Sequence, residues 1–596
     1  MTASRVDPMK TKILICSIAV LAAVLTFPAG SGAQKTGPLL LAPPQRLEPP
    51  KPQPTAPAVP EKPAEAPAGN GVQVDALLTV DPDSVGTLTK ANGGFGERMW
   101  VGTSRRLIER LLPHLPANNS SAAMRDLSRR LLLSAAPLPE SDEASIALIP
   151  QRVGLLAMMG DFDAAMALLQ AAPDRASNAD LVRIEADTHF LSNDNARACA
   201  LATGRISEGD DPYWQKAFIF CQMLTGEVGK AELGIALLRE LGVEDEVFFA
   251  LGDALAGGDK VIESMAKPAP LHLAMARAGN VQLPADVIAG NRPAVLRAVA
   301  TSPNAPVELR LEAAERAEVA GALPVETLRH LYTSISFSAE DLANPLSRTE
   351  AESGPLSRAL LYRTAVIQTV PTAQAEVAAR ALALGHEGGR YASTARTFLP
   401  VLQGVPPSAE LAWFAPAAVR AFLAAGDYEL AKAWFAVLRA SALFDAQSSS
   451  AINALLPVLR LAGPDYADGW TPTTLAQWWS LAEGHPEGAD RGALLFSLFD
   501  AFDEPVPANL WESLLDSPER STVVMPRPAL WFQLRIAASG VRIGETVMLS
   551  LLSLGDGGPS QADPMILRDV LARLRAVGQD AGARALAIEA ALAAGL

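Results

Sequence analysis

Gly160–Gln170 reads GDFDAAMALLQ, and the phrase returns in altered form as Asn193–Thr203, NDNARACALAT, and as Gly226–Ala236, GEVGKAELGIA. The openings are 33 residues apart. Each begins with Gly or Asn, the residue types that most readily take the left-handed backbone with which helices end. Asp161, Asp194 and Glu227 come next, and a negative charge there favours the start of a second helix. Five places after each opening residue stands an alanine, Ala165, Ala198 or Ala231, small enough to let two helices approach closely. Apolar helical stretches precede the openings, as in Val153–Met159 (VGLLAMM) and Ala217–Thr225 (AFIFCQMLT). The phrase therefore predicts helix–hinge–helix units at a fixed period.

Working outward, the same pattern returns at Gly426-Asp427-Tyr428, within AVRAFLAAGDYELAKAWFAVLRA, and at Gly578-Gln579-Asp580, within the last stretch of the chain. From about residue 74 apolar residues recur at three and four, with short breaks rich in Gly, Pro and Asp, a helical signature. No run of alternating β-branched residues interrupts it. These units resemble tetratricopeptide repeats, most clearly over 150–240, 410–440 and at the C-terminus. The family's full Trp, Leu, Gly, Tyr and Pro pattern is not kept, which points to a tetratricopeptide-like body of no particular subfamily. The expected fold is all-α, an α-solenoid of stacked helix pairs, with an N-terminal lobe over 71–340 and a C-terminal lobe over 341–596. Residues 334–356 and 463–474 read as longer loops. The resemblance implies a curved surface that binds peptides or other proteins.

Upstream of the body, Lys10 and Lys12 precede the apolar run Ile13–Phe27, and Ser31-Gly32-Ala33 supplies small residues for cleavage. Residues 1–33 thus read as a signal peptide, whose fifteen apolar positions are short for a spanning helix. Residues 34–70 hold eleven of the chain's 46 prolines, from Pro38 to Pro67. Proline lacks an amide hydrogen and fixes φ, so this stretch reads as a disordered, extended linker. The expected location is periplasmic or secreted. An inner-membrane anchor, and with it membrane contact, follows only if the signal segment is retained.

The composition sets limits on function. Of 596 residues, 49% are hydrophobic and 19% charged, and the net charge is −15. So lean a charge content permits a large core, and the acidic balance speaks against nucleic acid, whose binders present basic surfaces to phosphates. The expected partner is an envelope protein.

Each candidate for chemistry has a plainer reading beside it. Cys199 and Cys221 fall on helices expected to be neighbours, and in an oxidising compartment the chemistry favours a disulfide over two separate thiols. The six histidines are scattered, with no HExxH, so no metal is expected. Ser264-Met265-Ala266-Lys267 matches S-x-x-K, but Lys35-Thr36-Gly37 stands before it, in the leader, which is the wrong order for a penicillin-recognising enzyme. Gly93-Gly94-Phe95-Gly96 lacks the Lys-Ser/Thr of a phosphate loop, and no cofactor is expected. Seven of nine tryptophans lie between Trp413 and Trp531 with carboxylates interspersed. Trp478 and Trp479 are the candidate glycan contacts, although helical spacing favours tryptophans that fill space between helices. The leading expectation is an exported, non-enzymatic helical-repeat scaffold for protein–protein contact in a bacterial envelope. The alternative is an envelope glycan-binding or glycan-cleaving protein that uses the tryptophan-rich C-terminal half.

Overall fold

The structure is a computed structural model that describes residues 81–140, 146–207, 211–258, 261–515 and 525–596. Among these it holds 28 α-helices, a few single 3-10 turns and no strand. The signal run within 1–33 and the proline-rich 34–70 lie outside the described residues. No helix among the described residues is long and apolar enough to cross a membrane.

The described chain opens with α1 (Arg105–Leu111) and α2 (Ala122–Leu133). Three hairpins follow: α3 (Ile149–Met158) with α4 (Phe162–Ala171), α5 (Ala179–Leu191) with α6 (Asn195–Arg205), and α7 (Pro212–Leu224) with α8 (Val228–Glu240). After α9 (Glu246–Leu255) the chain doubles back, so that α10 (Pro270–Ala278) lies on α5. Next come α11 (Pro293–Ala300) and α12 (Val307–Val319), a closely packed pair, and α13 (Val325–Ser334). Residues 334–356, expected as loop, carry two short helices, α14 (Ala339–Ala343) and α15 (Pro345–Ala351). Ser338 caps the first by accepting from the Asp341 amide, and Pro345 opens the second, where its missing amide costs nothing.

A run of successive antiparallel neighbours follows: α16 (Pro355–Ile367), α17 (Pro371–Glu387), α18 (Tyr391–Gly404), α19 (Ala415–Ala425), α20 (Tyr428–Ser441), α21 (Ala446–Ala462), α22 (Pro472–Ala482) and α23 (Gly488–Ala501). The short α24 (Ala508–Glu512) leads on to α25 (Pro528–Ser539), α26 (Ile543–Leu554), α27 (Pro564–Ala576) and α28 (Asp580–Ala593).

All five hinge phrases fall between helices, and all do so by one mechanism. Gly160, Asn193, Gly226, Gly426 and Gly578 have φ of 77°, 61°, 79°, 78° and 78°. The next residue's amide reaches back five places: Asp161 to Leu156 O at 3.0 Å, Asp194 to His189 O at 2.8 Å and Glu227 to Gln222 O at 2.8 Å. That bond satisfies a carbonyl the ended helix leaves open. Asp161, Asp194 and Asp427 then cap the following helix with their side chains. The alanines five places on, Ala165, Ala198, Ala231, Ala431 and Ala583, are all buried. A larger side chain there would push the paired helices apart.

Two sets of contacts are not local. On either side of residue 340, α12 and α13 pack against α16 and α18, so one core runs through both halves. The last helices also return to the first: α2 packs on α26 and α28, and α28 on α19 and α21. Gly544 marks a close backbone approach. Its amide donates to Met99 O at 2.9 Å, and a Cβ there would meet the Met99 and Trp100 side chains.

Candidate functional site

Where the beginning and end of the array meet, the helices leave a cavity of about 690 Å³. Six segments line it: the start of α2, the end of α12, the α17–α18 turn, the α19–α20 hinge, Pro559–Gln561 between α26 and α27, and the length of α28. Its backing is small and apolar, with Ala424, Ala585 and Ile588 among the lining residues. The volume falls within the range of about 300–1,000 Å³ usual for ligand pockets.

The polar side of the cavity is organised by buried carboxylates. Glu589, on α28, meets the N-terminus of α2. One of its oxygens accepts from the Ala123 amide at 3.0 Å, and the other from the Ser121 hydroxyl. Ser121 Oγ itself accepts from the Met124 amide at 3.1 Å as the N-cap of α2. A helix N-terminus presents free amides and a positive dipole end, which suits a carboxylate. Burial nevertheless raises the Glu589 carboxyl above its ordinary range, against the lowering by those two hydrogen bonds and by Arg125 and Arg396. Arg125 donates to Asn119 O at 2.8 Å and Val319 O at 2.7 Å, and burial, then the nearby Arg396 charge, lowers it to about 10.

Glu318 and Glu315, both on α12 and buried, hold the next layer. Arg396 grips Glu318 in bidentate fashion at 2.9 and 3.1 Å, and Ser393 donates its hydroxyl to the same carboxylate. Glu315 accepts from Arg358 at 2.8 and 2.5 Å, from the Tyr332 hydroxyl at 2.6 Å and from Arg390. Arg390 also reaches Glu312 at 3.0 Å. Burial and the Glu315 charge push the Tyr332 hydroxyl well above its usual value, so it remains a donor. The arginines at the cavity are thus already engaged with carboxylates or carbonyls. What the wall offers an occupant is an alanine surface edged by the Tyr391 and Tyr428 rings and by Arg130, which lies 4.5 Å above Phe95.

The residues singled out from the sequence lie elsewhere. Cys199 on α6 and Cys221 on α7 are joined by a disulfide, with Cα atoms 5.6 Å apart. Trp478 and Trp479 are buried at 5% and 6% exposure and pack against Phe496 at 6.3 and 5.6 Å between ring centres. Gly492 lacks a Cβ where the Trp479 ring sits. Neither ring presents the open face that a sugar needs, so these two tryptophans fill the space between α22 and α23. Ser264 lies in a loop and donates to Asp286 at 2.5 Å, not to Lys267. His189 and His272 are buried beside Asp194 and Asp245, at 3.6 and 3.1 Å. Among the described residues no group of three or more His, Cys, Asp or Glu side chains could hold a metal ion.

Sequence reading missed Glu589, Ser121, Glu318 and Arg396. One signal was available: Glu589 is the lone charge in Ala585–Leu596, ALAIEAALAAGL, and a single carboxyl in so apolar a helix needs a partner when buried. Nothing local named that partner, which lies more than 460 residues away. The chain was compared with known protein families, with curated proteins and with solved structures, and no match was found.

Proposed function

We propose that the chain is an exported, non-enzymatic scaffold of tetratricopeptide-like helix pairs that holds a segment of a partner protein in the bacterial envelope, with the cavity as the receptacle. The cavity at the meeting of α2, α12, α18, α19 and α28 carries this reading. Stacked helix pairs commonly bind peptides and proteins, and the cavity is a recess of a size that would take a side chain or short segment. Alanine walls accept an apolar side chain, and the Tyr391 and Tyr428 rings flank the opening. The Cys199–Cys221 disulfide is compatible with an oxidising compartment, as is the apolar run at 13–27 with export.

The test is a pull-down from envelope extract with the intact chain and with Ala585→Trp, which fills the recess. The intact chain recovers a stoichiometric protein, and the Ala585→Trp chain, folded by circular dichroism, does not. Equal recovery by both would remove the cavity from the account.

A further inference from the structure

The three carboxylates on the polar side of the cavity are partnered unequally. Glu315 holds Arg358 and Arg390, and Glu318 holds Arg396. Glu589 takes both of its hydrogen bonds from uncharged donors, the Ser121 hydroxyl and the Ala123 amide. Arg125 and Arg396 act on it only through space. The first donates to two backbone carbonyls, and the second is taken up by Glu318. An ionised carboxylate has room for about four hydrogen bonds, so Glu589 can accept more than it receives.

Exposure separates the three in the same way. Glu315 and Glu318 are 2% and 4% exposed, closed off within the helix packing. Glu589 keeps part of its surface open, and of the three it is the one that lines the cavity. Burial raises its carboxyl above the ordinary range, as expected of a charge whose lost hydration is incompletely replaced. Perturbed groups of this kind in a cleft mark functional sites.

The aromatic rim suits the same guest. Tyr391 and Tyr428 are partly exposed rings at the opening. Burial, then Tyr466 and Glu589, hold the Tyr428 hydroxyl above its usual value, so this ring lies within the field of the Glu589 charge. Ring faces beside a carboxylate attract a cation carried on an apolar stem. The arginines of the same wall are already committed. Arg130 donates to Gly93 O at 2.8 Å and to Gln579 at 3.0 Å, and Arg390 is held by Glu312 and Glu315.

We propose that the cavity recognises a cationic side chain, lysine or arginine, on the partner's segment, with Glu589 as its counter-ion and the Tyr391 and Tyr428 rings beside its stem. The proposal rests on the cavity being the receptacle and names the chemistry of what enters it.

Calorimetric titration of the full chain with two peptides tests it. One is acetyl-Ala-Ala-Lys-Ala-Ala-amide, and the other replaces lysine with norleucine, which keeps the stem and lacks the ammonium. The lysine peptide is expected to bind about tenfold more tightly. Glu589→Gln, which keeps an acceptor for the Ala123 amide, removes that preference and leaves norleucine binding as it was. Tyr428→Leu weakens the lysine peptide about threefold. A norleucine peptide that binds the intact chain as well as the lysine one overturns the proposal with no variant needed. If Ala585→Trp still loses the partner in that case, the receptacle stands and only the cation falls. A preference unchanged in Glu589→Gln, or a lysine peptide that does not bind up to ~10 mM, overturns it equally.

Discussion

The hairpin stack α3–α8 and the junction of α2, α12, α18 and α28 are held in different ways. In the stack each turn is made by residues close together in sequence: a left-handed Gly or Asn, a back-bonded amide, an acidic residue that caps the next helix at Asp161 and Asp194, and a buried alanine. At the junction the decisive bonds join residues far apart. Glu589 reaches the start of α2, and Glu315 collects Tyr332, Arg358 and Arg390 from three further elements. Local bonds form wherever their short phrase occurs. Junction bonds form only once the whole array is assembled, and there the low dielectric makes both a satisfied and a broken network count for more.

The largest effect is expected at the junction. Glu315→Ala leaves Arg358 and Arg390 short of their main partner, and breaking a buried pair by removing one member costs about 3–5 kcal/mol. Urea denaturation measures the loss. A cost below ~1 kcal/mol would mean that the network is solvated and that the contrast between the two regions is wrong.

A middle-sized effect separates two hinges that look alike in sequence. Gly160 and Gly226 share φ near 78°, at 77° and 79°. A Cβ on Gly226 meets nothing within 4 Å, whereas one on Gly160 lies 2.5 Å from the Ala322 Cβ, after α12. Gly226→Ala therefore costs the left-handed backbone term alone, about 1–2 kcal/mol. Gly160→Ala adds overpacking, about 1–3 kcal/mol more. Equal losses in the two melts would show that the first hairpin does not lean on the α12–α13 turn as described.

The smallest effect is a pH slope inside the stack. Burial raises Asp187 from 3.8 to about 6, only partly offset by its hydrogen bond from the Tyr213 hydroxyl at 2.7 Å. A carboxyl with a raised folded-state pKa binds its proton more tightly in the native protein. Its contribution to stability is complete below the unfolded value and is lost as the pH rises through about 6. Asp187→Asn should flatten the stability curve between about pH 4 and 6. An unchanged slope in denaturation midpoints across that window would place the carboxyl in water.

Much of the fold was legible because its units are short. Gly160, Asn193, Gly226, Gly426 and Gly578 marked five turns through a conformational preference that needs no tertiary partner, and all five have the expected left-handed backbone. The residues that build the cavity were not legible. Arg396 and Glu318 look like ordinary charges on amphipathic helices, and only the packing of α12 on α18 turns them into a bidentate pair. Trp478 and Trp479 carried two readings, a glycan contact and, favoured by helical spacing, space-filling; both rings are buried, and the glycine gap at Gly492 seats the Trp479 ring between α22 and α23.

From its residues alone the chain dictates helices, hinges and their period, since backbone preference and capping act over a single turn. Tertiary packing alone decided that the final helices return to α2, that a cavity remains at their meeting, and which charges are buried in pairs. Those outcomes depend on groups more than 460 residues apart, and no local pattern encodes which distant surface a helix will meet.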